Sequence, residues 1–109
     1  MPTDPVKGAE TRESRRAALA STVIQEAQRE LRGLVDAAYI RYDATADVWE
    51  VFAIVPEHAD DVYDTLQEVE DRLDARLRDQ GTTVIVRIRA HQGRPAHEIA
   101  PADSEAVFG

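Results

Sequence analysis

Residues 38–55 read AYIRYDATADVWEVFAIV, and this stretch decides the fold. Two runs rich in β-branched and aromatic residues, Ala38–Tyr42 and Val48–Val55, flank the polar Asp43-Ala44-Thr45-Ala46-Asp47, which is the pattern of a β-hairpin. Pro56 lacks the N–H that a ladder needs and ends the second run. If Tyr42 pairs with Trp49, Ile40 faces Val51 and Ala38 faces Ala53 on one side of the sheet. Arg41 then opposes Glu50 and Tyr39 opposes Phe52 on the other side. The first set is apolar or aromatic and belongs against a core.

Working toward the N-terminus, Ala20, Val23, Ile24, Ala27, Leu31 and Leu34 recur at three and four residues, predicting a helix over Thr11–Leu34 with Gly33 near its end. The first ten residues, with Pro2, Pro5 and Gly8, read as a disordered lead-in. Working toward the C-terminus, Glu57–Asp79 carries Ala59, Val62, Tyr63, Leu66, Val69, Leu73 and Leu77 on one helical stripe. Asp60, Asp64, Glu68 and Asp71 line another, acidic stripe. Arg72, Arg76 and Arg78 sit in the last turns, where cations complement the helix dipole. Glu68 with Arg72 and Asp74 with Arg78 are spaced as acid-before-base pairs, and Gly81 supplies the stop.

A third strand is expected at Thr83–Ala90, TVIVRIRA, with Val84, Val86, Ile88 and Ala90 toward the helices and Ile85, Arg87 and Arg89 away from them. His91–Gly109, with Gly93, Pro95 and Pro101, reads as an irregular tail. The expected architecture is α+β in the order α-β-β-α-β, two helices packed on one face of a three-stranded sheet. Its divisions are a lead-in over 1–10, a single domain over 11–91 and the tail over 92–109. The second sheet face has no cover in this reading. It collects Tyr39, Arg41, Glu50, Phe52, Ile54, Ile85, Arg87 and Arg89, a mixture of large apolar groups and charges that marks an interaction face.

Composition narrows the function. With 109 residues the chain builds one core. Its formal charge of −8 arises entirely within residues 37–80, mostly on Glu57–Asp79, where nine carboxylates meet three arginines. Such a surface repels phosphate backbones and attracts basic partners, so nucleic acid is disfavoured. The absence of cysteine removes disulfides, zinc-thiolate sites and thiol nucleophiles. No apolar run marks a signal peptide or a membrane span, so a cytoplasmic protein with no membrane association is expected.

No phosphate-binding glycine loop or nucleophile-elbow motif occurs; His58 and Asp61, one helical turn apart with Asp60 nearby, could put two metal ligands on one face but match no motif, and His91 and His97 read as a polar loop. No catalytic residue, cofactor or metal is expected.

The stretch from Asp47 through Arg89, an apolar strand ending in Pro56, an acidic-to-basic helix and then VIVRIR, resembles the core of minimal nucleotidyltransferase-like proteins. In that family a Gly-Ser turn binds nucleotide phosphate, and an Asp-x-Asp pair opening the second strand binds magnesium. Here Tyr42-Asp43-Ala44-Thr45-Ala46 replaces the turn and Asp47-Val48-Trp49 holds a single carboxylate. The resemblance therefore implies a degenerate, non-catalytic relative, of accessory or antitoxin-like type. The element order is also similar to that of ribosome-binding factor A, which has a KH-like fold.

The leading expectation is a small non-catalytic module that binds protein, either itself as a homodimer or another chain. A second copy would cover Tyr39, Phe52, Ile54 and Ile85, or the tail would place Val107 and Phe108 over them. An RNA- or ribosome-associated role would rest on Arg41, Arg87 and Arg89.

Overall fold

Among the described residues seven elements follow one another: α1 (Pro5–Leu31), β1 (Ala37–Asp43), β2 (Val48–Val55), α2 (Asp60–Arg78), β3 (Thr83–Ala90), α3 (Ala96–Ile99) and β4 (Glu105–Phe108). The computed structural model describes residues 5–109, with side chains from residue 18 onward. Residues 1–4 of the expected lead-in lie outside the described residues, and α1 begins at Pro5, within that segment.

The hairpin has the register read from the sequence, with Arg41 opposite Glu50, Tyr39 opposite Phe52 and Tyr42 opposite Trp49. Asp43 closes the turn by accepting the Thr45 and Ala46 N–H groups at 3.0 and 3.2 Å. Asp47 takes a positive φ of 56° there, and its carboxylate accepts from the Tyr42 hydroxyl. β3 pairs in parallel with β2, so α2 is the crossover that such a pair requires.

The expected three-stranded, two-helix α-β-β-α-β arrangement is overturned. The sheet has four strands in the order β3-β2-β1-β4, it is mixed, and a third helix follows it. The added strand is β4, antiparallel to β1, with Ile40 opposite Glu105 and a bulge between Ala38 and Tyr39. The residues expected as an irregular tail thus complete the sheet. An unpaired β1 edge would leave its N–H and C=O groups without partners, and β4 supplies them. Val107 and Phe108 pack toward the helices with the main core rather than over the opposite face.

α1 and α2 both cover the inner face, burying Val23, Ala27 and Leu31 from the first and Leu66, Val69, Leu73 and Leu77 from the second against Ile40, Val51, Ala53 and Val84. Leu34, placed on the helical stripe by its spacing, lies beyond the helix end and is exposed, while Val35 is buried in its stead. A seam of charges joins the helices: Arg72 reaches Glu30 at 2.8 Å and Arg76 reaches Glu26 at 2.7 Å. Arg72 therefore turns to α1 instead of to Glu68, whereas the Asp74–Arg78 pair forms as its spacing suggests.

α2 starts at Asp60 rather than Glu57, because Ala59 is still extended and is the residue whose carbonyl accepts from Tyr63 N–H. The helix ends where expected. Gly81 has φ 84°, and the N–H groups of Gly81 and Thr82 return to the Arg78 and Leu77 carbonyls.

The outer face is not bare. After β3 the chain turns at Gln92 and Gly93, both at positive φ, and α3 lays Ala96 and Ile99 against Ala37, Tyr39, Phe52 and Ile54. His91 anchors this turn, its Nδ1 accepting from Gly93 N–H at 3.0 Å and its Nε2 donating to Asp36 at 2.7 Å. A chain ending at Arg94 is expected to bare that cluster together with the β1 edge, and to self-associate. Light scattering checks this; a monomer with an unchanged melting temperature would show that the tail contributes nothing.

Candidate functional site

On the outer face Glu50 is the central residue. It is 2% exposed, with Arg41 on one side and Arg87 on the other. Arg41 donates from Nε and Nη2 to Glu50 Oε1 at 3.0 and 2.8 Å, and Arg87 Nε donates to Oε2. Asp103, just before β4, meets Arg41 Nη1 at 3.2 Å. Burial pushes the Glu50 carboxyl upward, yet the hydrogen bonds from Arg87 and Arg41 outweigh it and hold the group below its ordinary range. The same contact with Glu50, then the one with Asp103, raises Arg41 above its ordinary value.

The other residues of the expected interaction face fare differently. Phe52 is 1% exposed and Ile54 fully buried, beneath α3 and the arginines. The guanidinium carbons of Arg41 and Arg89 lie 5.3 and 5.7 Å from the Phe52 ring centroid. Tyr39 is half-buried against α3 and Ile85 half-buried on β3, while Arg87 and Arg89 are exposed. The expected open apolar patch is therefore corrected: Phe52 and Ile54 are core residues. The Phe52 ring is not free to stack on a base.

All four residues of the acidic stripe, Asp60, Asp64, Glu68 and Asp71, are exposed. The carboxylates that do structural work on α2 are two others, Glu70 and Asp74. In a parallel pair, alternate residues turn both backbone polar groups toward the neighbouring strand. His91 N–H continues that series by bonding Val55 C=O, so Val84, Val86, Ile88 and Ala90 turn theirs to the outer edge of β3. Asp74 Oδ1 accepts the Val84 N–H at 3.1 Å and Glu70 Oε2 accepts the Val86 N–H at 2.7 Å.

The fit is geometric. Four helical residues rise about 6 Å and two strand residues about 6.6 Å, so carboxylates four apart match every second amide of the strand beside them. One more step of four reaches Leu66, which is apolar and buried, and the capping ladder stops. Ile88 and Ala90 are left with outward backbone. Among the described residues Arg89 is the side chain on it, its Nη1 donating to Ile88 C=O at 3.1 Å.

Beside this stretch runs a groove between β3 and the first half of α2. It has Val86, Ile88 and Leu66 as its floor and Tyr63, Asp64 and Gln67 along its rim. Tyr63 is 40% exposed, with its ring stacked on His58. At the opposite edge Gln28 of α1 donates to Val107 C=O at 3.1 Å, and Arg32 lies over the Phe108 ring, so β4 too is guarded from a helix.

Sequence reasoning missed Glu70 and Asp74. Their signal is a pair of carboxylates four apart, each directly following a core position, Val69 and Leu73. Replacing both by alanine is expected to speed amide exchange at Val84 and Val86 by roughly tenfold or more and to cost about 1–2 kcal/mol per carboxylate. Exchange followed by NMR reads this directly; unchanged rates would mean the amides are protected otherwise.

Among the described residues no group of three His, Asp or Glu side chains could hold a metal ion, and no helix is long and apolar enough to cross a membrane. The carboxylates of the turn, Asp43 and Asp47, are engaged within it. No family model, curated protein or solved structure matches the chain.

Proposed function

We propose that this chain is a non-catalytic protein-binding module that receives an extended segment of its partner as an added strand on the open half of the β3 edge. The observation that carries the reading is the interruption of the capping ladder at Leu66, which leaves the outward backbone of Ile88 and Ala90 uncapped, with Ile88 lining a groove. Unpaired strand edges are templates for pairing, and folds ordinarily blunt them. Here the neighbouring amides are blunted by Glu70 and Asp74, and the other sheet edge by Gln28, while this stretch lies beside a helix that would form the second wall of a peptide site.

The alternatives draw less support. Self-association across the sheet face would need Phe52 and Ile54, which α3 already covers. An RNA surface would need free cations and a stacking ring, but Arg41 and Arg87 are paired with Glu50 and Phe52 lies under guanidinium groups.

The test is a selection of displayed random peptides on the immobilised chain, followed by amide mapping. Binders are expected to shift and protect the Ile88 and Ala90 amides and to be lost in Ala90→Pro, which deletes an outward N–H without breaking the bonds to β2. Binders that ignore this substitution, or a selection that yields none, would overturn the reading.

A further inference from the structure

We infer that the partner segment is two-faced in charge, its residues alternating between acidic and basic, and that a second copy of this chain is not the occupant. The inference rests on the strand-addition reading and adds the chemistry of the strand. Side chains of an added strand alternate between the two faces of the sheet, and those directly opposite β3 residues share their face. On the outer face they would meet Arg87 and Arg89. Arg89 already reaches the edge itself through Ile88 C=O, the contact an incoming N–H would replace. Acidic side chains fit there.

On the other face they would lie over Ile88 and Leu66, with Asp64 at the rim. Asp64 makes no ion pair with any described residue. A lysine or arginine suits this position, its stem covering the apolar floor and its head reaching the carboxylate.

The same geometry argues against self-pairing. An antiparallel two-fold centred on Ile88 would set Arg87 of one copy opposite Arg89 of the other, and one centred on Arg89 would set that arginine against itself. Like charges directly opposite are destabilising. Centring on Val86 is blocked by the Glu70 carboxylate already on its N–H. Each arrangement would also bring together two copies of a chain with a formal charge of −8.

The experiment uses fluorescently labelled peptides at low ionic strength: one of alternating lysine and glutamate, and its isomer with all lysines preceding all glutamates. Anisotropy titrations are run on the full chain and on Ala90→Pro, Arg89→Glu and the double variant Asp64→Lys with Arg89→Glu. The alternating peptide is expected to bind roughly tenfold more tightly than its isomer, to shift the Ile88 and Ala90 amides, and to be lost in Ala90→Pro. Arg89→Glu should weaken it, and the double variant should not restore it, because Arg87, left in place, opposes the one-residue slip that would invert the alternating strand. Melting temperatures confirm that the variants fold, and the amide shifts are read on the unsubstituted chain. If both isomers bind equally yet are lost in Ala90→Pro, strand addition stands and the charge inference falls. If neither binds, the charge inference also falls. Binding indifferent to Ala90→Pro, with no shift at Ile88 or Ala90, would instead overturn the strand-addition reading.

Discussion

Phe52→Ala is expected to destabilise the chain by about 3–5 kcal/mol, the range for emptying a buried aromatic site. The ring is 1% exposed, packed with Ala37, Ile54, Tyr39, Ala96 and Ile99 and roofed by two arginines. Truncation removes the ring from beneath α3 and takes away the surface on which Arg41 and Arg89 lie. For a domain of this length the melting temperature should fall by roughly 12 °C or more. Denaturant unfolding monitored by circular dichroism measures the change. A loss below about 1 kcal/mol would mean that the ring stands in solvent, as an exposed docking residue would, and that α3 does not hold its place.

Glu50→Ala should have the second largest effect, about 2–4 kcal/mol. Removing one partner of a buried ion pair leaves the other charge uncompensated, and the lower part of the usual range applies because the two guanidinium groups can turn partly to water. The pH dependence has a definite sign. The folded-state carboxyl lies below its ordinary range, so the stabilisation is fully present above the unfolded-state value, about 4.3, and is lost as pH falls through the lower folded-state value. The unsubstituted chain should therefore lose stability more steeply on acidification than Glu50→Ala does. Parallel acid limbs for the two proteins would show that Glu50 is an ordinary surface carboxylate.

Both results bear on how far the outer face could be read in advance. The pairing of Arg41 with Glu50 followed from alternation, since strand side chains switch faces at every residue and a shift by one would have placed Arg41 in the core. Burial of that pair did not follow from it. Alternation names the face on which a residue lies and is silent about what lies above. The same limit explains Phe52 and Ile54, assigned to the correct face and expected to be open, yet covered by a helix of four residues, Ala96–Ile99, too short to show a period.

The capping carboxylates are a second instance. Nine acids crowd the segment Glu57–Asp79, and their spacing alone makes Asp60, Asp64, Glu68 and Asp71 as plausible a functional row as any. Which of them reaches β3 depends on where the helix lies beside the strand, a distance set by the packing of Leu66, Val69, Leu73 and Leu77 on the sheet.

By itself, the sequence determined the two long helices, the β2 and β3 spans, the hairpin register and the inner core, because each is written in a repeated local pattern of apolar residues. Only the tertiary structure decided that residues 96–108 roof one sheet face and add a strand beside β1, and that two of the α2 carboxylates close half of the β3 edge. Those features are contacts between segments far apart in the chain. Their stability comes from satisfying backbone groups and apolar surface that exist only once the sheet has formed, so no local run of residues carries their signature.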